Sequence, residues 1–231
     1  MMLKTILFFA ILVVALLDWL AVARGWKKVE YLAKPATMVF LLGYLALSGG
    51  FIRTPLPLFG LGLFFSLAGD TFLMFSFYRF SNRLFLPGLA AFLLAHVAYI
   101  IGFNMPFGNI SLVWGIGIAI VLALTTARVL RRIVTGVREK GLQRMVAPVV
   151  TYGTVISLML LSAMLTLYRV DWKTSASGLV CLGAILFYFS DIILAWNKFV
   201  RPVKNGRLLN MIAYHLGQIA LISGVVLQFG K

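Results

Sequence analysis

Six residues in an otherwise apolar chain have the side chains for acid and base chemistry in a setting without water. Asp70 and Asp191 lie inside long hydrophobic runs, His96 and His215 are the two histidines, and Lys34 and Tyr152 open two further runs. Two carboxyl groups facing each other in a low-dielectric space cannot both ionise cheaply, so one is held as an acid and its partner as a base. Such a pair suits hydrolysis through an oxocarbenium-like cation, in which one Asp donates a proton and the other stabilises positive charge and activates water. Either Asp can start protonated, and the histidines can tune the pair or relay protons. No His-x-x-His or Glu-x-x-His spacing occurs, and Cys181 is the single cysteine, so neither a metal site nor a disulfide framework is expected.

The elements that must position these residues are set by composition. Of 231 residues, 62% are hydrophobic and 12% charged, and the mean hydropathy of +1.01 excludes a soluble domain. The net charge of +15 is spread among apolar runs and forms no single patch, which favours a membrane over a nucleic acid as partner. Eight runs approach the length of a membrane helix: 5–23, 33–48, 57–77, 84–103, 110–130, 146–168, 176–197 and 208–228. The expectation is an all-α bundle of eight transmembrane helices in one integral membrane domain, 1–231. Sixteen of the 21 basic residues fall in loops on one side, including Arg79, Arg83, Arg128 to Arg144 and Lys198 to Arg207. By the positive-inside rule that side is cytoplasmic and both termini lie outside; a bacterial inner (cell) membrane is the expected location. Lys4 before an apolar stretch resembles a secretory signal, but cleavage after Ala23 would place the next basic loop outside, against the same rule.

Charged groups inside spans are costly and mark function. Asp70 and Asp191 precede the basic residues Arg79 and Lys198, which places them about 10 to 14 Å from the cytoplasmic boundary. His215 and Tyr152 fall in the same half, and His96 lies nearer the middle. Lys34 is expected at the boundary, where it either snorkels or binds a phosphate headgroup, with Pro35 in a first turn. Asp18, near Trp19 and Arg24, reads as structural or interfacial. The window 65–73 resembles 186–194, and the Asp-to-His distances are 26 and 24 residues. This predicts two four-helix halves, 1–104 and 105–231, related by an axis along the membrane normal that would bring the aspartates together.

The set resembles the YhhN lysoplasmalogenase family of eight-span membrane proteins. The likeness is carried by Lys34-Pro35, Ser66-Leu67-Ala68-Gly69-Asp70-Thr71-Phe72-Leu73, Ala95-His96-Val97-Ala98-Tyr99, Pro148-Val149-Val150-Thr151-Tyr152, Tyr188-Phe189-Ser190-Asp191-Ile192-Ile193-Leu194-Ala195 and Tyr214-His215-Leu216-Gly217-Gln218. The first span and the basic stretch 128–144 contribute nothing to it. The resemblance implies cleavage of the vinyl ether of a lysoplasmalogen to a fatty aldehyde and glycerophosphocholine or glycerophosphoethanolamine, without cofactor, and leaves another lipid ether open as substrate. Asp70 and Asp191 are then the acid and base, with Lys34, His96, Tyr99, Tyr152, Tyr188, His215 and Gln218 binding substrate or orienting the pair. Rival readings are a proton-coupled transporter, a noncatalytic lipid-binding scaffold and an intramembrane aspartyl protease. For the protease, Leu67-Ala68-Gly69-Asp70 lacks the first glycine of Gly-x-Gly-Asp, and Asp191 has no Tyr directly before it.

Overall fold

Without water to satisfy them, backbone N–H and C=O groups in apolar runs must pair within their own segment, and helices do this. A computed structural model describes residues 2–49, 51–78, 82–106 and 112–231. Its helices are α1 (Met2–Arg24), α2 (Lys27–Leu47), α3 (Leu56–Tyr78), α4 (Phe85–Asn104), α5 (Leu112–Glu139), α6 (Val146–Leu165), α7 (Thr174–Ala195) and α8 (Gly206–Phe229). Among the described residues there is no strand. Arg79, expected at the end of the third span, and Ile110, the expected start of the fifth, lie outside the described residues.

Seven helices, all except α2, are long and apolar enough to cross a membrane. The helix α2 starts at Lys27, well before the expected Ala33, and takes Lys27, Lys28, Glu30 and Lys34 into its first turns. Pro35 is therefore not in a first turn, as expected, but inside the helix, where it interrupts the i→i−4 ladder. The helix α5 runs past the expected Leu130 to Glu139. Over this extension Ile133, Gly136 and Val137 are buried while Arg131, Arg132, Thr135 and Arg138 are exposed, an amphipathic pattern of helical period. After α7 a π-helical turn, Trp196–Val200, continues the chain, and Arg201 N–H donates to the carbonyl of Trp196 at 3.1 Å.

The chain divides into two compact units, Met1–Met105 with Val225–Lys231, and Pro106–Gly224. In the first, α3 and α4 pack by placing rings over glycines. A Cβ built at Gly62 would meet Tyr99 Cε1 at 2.1 Å, and one at Gly69 would meet Phe92 Cδ2 at 2.5 Å. In the opposite sense Gly88 receives Leu73 and Gly102 receives Phe59, each at 2.8 Å. Phe59 also stacks on Tyr99, with ring centroids 5.8 Å apart. Gly62→Ala is expected to lower stability by about 1–3 kcal/mol through overpacking, read as a lower thermal midpoint in detergent. Gly117→Ala, where nothing lies within 4 Å, should leave the midpoint unchanged; equal midpoints for both variants would refute the ring-over-glycine account.

In the second unit α7 and α8 approach backbone to backbone. A Cβ at Gly183 would fall 2.5 Å from Leu221 N, and one at Gly217 would fall 2.9 Å from Phe187 N; small residues permit this closeness in membrane bundles. The loop before α7 is tied by Arg169, which is 5% exposed. Its Nη2 donates to Asp171 Oδ2 and to the carbonyl of Pro106, both at 2.6 Å, and its Nε donates to Asp171 Oδ1 at 3.0 Å. The hydrogen bond from Arg169 holds the Asp171 carboxyl below the usual carboxylate range. A lowered carboxylate contributes stability that is present above its unfolded pKa and lost as pH falls through the folded one. The thermal midpoint of the wild type should therefore drop more steeply below about pH 4 than that of Asp171→Asn. The difference will be small, because the Asp171 side chain is 38% exposed.

Candidate functional site

The first unit contains one cluster of candidate residues. Lys34 Nζ on α2 lies 3.0 Å from Asp70 Oδ1 on α3, with side chains only 8% and 3% exposed. Burial of either charge alone would be prohibitive, so each makes the other tolerable. Lys34, expected either to snorkel or to hold a phosphate headgroup, is instead buried against the carboxylate, on a helix that begins two turns earlier than expected. Gly69, directly before Asp70, takes the Phe92 ring. His96 shares the Phe92 and Tyr99 face of α4 and is fully buried. Tyr99 fills the space above Gly62, so packing accounts for its ring. Asp18, read from the sequence as structural or interfacial, is fully buried.

The second unit holds the other cluster. The Tyr152 hydroxyl on α6 donates to Asp191 Oδ2 on α7. Ser190 Oγ lies 3.5 Å from Asp191 Oδ1. Asn210 Nδ2 on α8 donates to the Ser190 carbonyl at 2.7 Å, fixing the backbone beside the carboxylate. Tyr188, one turn before Asp191, pairs its hydroxyl with Thr126 Oγ1 of α5 at 2.8 Å. His215 and Gln218 are fully buried on α8, close to α7 because of Gly183 and Gly217. Asp70 is 2% exposed, whereas Asp191 is only partly buried. Asp70 belongs to the first unit and Asp191 to the second.

Four candidates escaped the sequence reading. Glu30, 3% exposed, lies before the expected start of the second span at Ala33; its place one turn before Lys34 is the signal the sequence carries. Thr126, Ser157 and Asn210 gave none, since single hydroxyls and amides in apolar runs are common. Among the described residues no three of His, Cys, Asp and Glu are grouped as a metal site.

These features define a polytopic helical membrane protein with one carboxylate in each unit, Asp70 paired with an ammonium and Asp191 with a phenol. The chain belongs to the YhhN family, which matches residues 29–225. It is 35% identical over 140 residues to mouse (Mus musculus) lysoplasmalogenase TMEM86B, covering 60% of this chain and 52% of that protein. To the human (Homo sapiens) TMEM86B lysoplasmalogenase it is 32% identical over 138 residues, 59% of this chain and 52% of the relative. To human lysoplasmalogenase TMEM86A it is 29% identical over 174 residues, 71% and 63% of the two chains. The chain spans about half the length of the TMEM86B relatives it matches. No solved structure matches it.

Proposed function

We propose that this protein hydrolyses the vinyl ether bond of lysoplasmalogens, releasing a fatty aldehyde and glycerophosphocholine or glycerophosphoethanolamine. The observation that supports this most is the name shared by its relatives, lysoplasmalogenase. The two aspartates give the reading a mechanism. A carboxylate paired with an ammonium is present as the anion and has no proton to give at the outset, so Asp70, against Lys34, is assigned the base. Asp191, held by Tyr152 and more accessible, is assigned the acid.

Asp191 protonates the alkene carbon distal to the ether oxygen, and the remaining cation is shared between the other carbon and that oxygen. Water adds to this carbon while Asp70 takes a proton from it. The hemiacetal then collapses: its hydroxyl proton returns to Asp191, the carbon–oxygen bond to glycerol breaks, and Asp70 gives its proton to the departing alkoxide. Both carboxyl groups end as they began, and no cofactor enters the balance.

Purified protein supplied with lysoplasmenylethanolamine should release fatty aldehyde, read with a coupled aldehyde dehydrogenase, and should leave the saturated 1-O-alkyl analogue intact. Absence of aldehyde would sink the reading, and uptake of intact lipid into proteoliposomes would replace it with transport. We further propose eight spans, with α2 as the eighth, in one domain of two four-helix halves, with the basic loops cytoplasmic and both ends outside. In a Cys181→Ser background, Lys173→Cys should react with an impermeant maleimide on intact cells and Arg144→Cys should not. The reverse pattern would invert the orientation.

A further inference from the structure

In the second unit, α5 and α6 line a half-open groove of about 390 Å³, along which Ala123 and Ala127 are exposed. Ala119, Ala123 and Ala127 form its α5 wall at one-turn spacing, and Ser157 and Leu161 lie on its α6 wall. The helices close at one end, where a Cβ built on Gly153 meets Leu130 Cδ1 at 3.1 Å. Gly153 follows Tyr152, the hydrogen-bond donor to Asp191. Near the same end Thr126 Oγ1 bonds to Tyr188 OH at 2.8 Å and to Ser157 Oγ at 3.1 Å. The groove thus begins beside the groups that hold Asp191 and leads away from them along about 16 Å of α5.

Its contents follow from its walls. Thr126, Ser157 and Tyr188 bond to one another, which makes them poor partners for a polar ligand. The neighbouring α5 side chains Ile120, Val121 and Leu124 are exposed and apolar, so this stretch faces hydrocarbon, and the space beside it takes hydrocarbon too. We propose that the groove holds the alkenyl chain of the lysophospholipid and that Ala123 sets the chain length accepted. This rests on the hydrolase reading and adds where the chain lies. Because lipid tails are as apolar as the groove, the groove aligns the chain and does not extract it from the bilayer. Its effect belongs in turnover as a function of chain length.

Two measurements test it. In the first, a saturated 1-O-alkyl lysophospholipid with a mid-chain diazirine, which has no bond to cleave, is photolysed with the protein in phosphatidylcholine nanodiscs and the adducts are mapped. Adducts are expected on 119–130 and 154–161, displaced by unlabelled 1-O-hexadecyl lysophospholipid and reduced by Ala123→Phe. Adducts that the competitor does not displace would mean bulk lipid only and would overturn the proposal. In the second, lysoplasmenylethanolamines with chains from eight to eighteen carbons are hydrolysed by wild type and Ala123→Phe. Misplacing the reacting bond is expected to lower turnover of the longest chains by about tenfold or more, with the shortest changed by less than about twofold. Matching chain-length profiles would overturn the proposal. Displaceable adducts without turnover by the wild type would uphold the chain site and reject the hydrolase reading instead.

Discussion

Asp191→Asn is expected to lower aldehyde release from lysoplasmalogen by about 10²- to 10⁴-fold, the usual contribution of a positioned general acid. The amide keeps the shape of the carboxyl group and can still accept from the Tyr152 hydroxyl, so the thermal midpoint in detergent should stay near that of the wild type. Tyr152→Phe removes the hydrogen bond that supports Asp191 as it becomes a carboxylate on giving up its proton, and should cost less, about 10- to 100-fold. The ordering of the two variants carries the information. If Asp191→Asn retains turnover while Tyr152→Phe loses stability, the pair is a structural clasp between α6 and α7 and the acid lies elsewhere.

The Lys34–Asp70 pair leads to a different pattern, in which stability and activity separate. Asp70→Asn alone removes the carboxylate that faces the buried Lys34 ammonium, and Lys34→Met alone removes the ammonium that faces the buried carboxylate. Removing one partner of a buried pair typically costs about 3–5 kcal/mol, so both single variants should unfold at clearly lower temperature. The double variant Lys34→Met/Asp70→Asn removes both charges and should recover most of that loss. Aldehyde release should not return with it, because the proposed base is gone. Turnover in the double variant would remove Asp70 from the mechanism, and single variants as stable as the wild type would show that the pair is not sealed from water.

The legible part of the fold followed from one physical rule. Backbone in hydrocarbon must be helical, so apolar runs map onto helices, and seven of the eight helices meet the length and apolarity of a span. The extra length of α5 and the early start of α2 were not legible in the same way, since a count of apolar runs stops at the first charged residues. In α5 the chain continues as an amphipathic helix, with Ile133 and Val137 turned inward. In α2 the first turns are helical despite three lysines and a glutamate, so Pro35 falls inside the helix and Glu30 within its first turn. The π-helical turn at Trp196–Val200 has no composition signal.

At the site, residue types were legible and partners were not. The sequence singled out Lys34, Asp70, Tyr152 and Asp191 as polar groups in apolar surroundings, but hydrophobic patterning says nothing about which donor faces which carboxylate. The structure joins Lys34 to Asp70 and Tyr152 to Asp191. That difference in partner is what separates the proposed roles of the two aspartates.

The side chains seated over glycines on α3 and α4, three rings and one leucine, work as a mechanical key. Four contacts, Gly62 with Tyr99, Gly69 with Phe92, Gly88 with Leu73 and Gly102 with Phe59, must disengage together before either helix can slide along the other. A one-turn slip would drive a ring against a residue that has a Cβ. The two helices therefore travel as one rigid lever with Asp70 at a set height on it, so that carboxylate moves only when the lever swings as a whole.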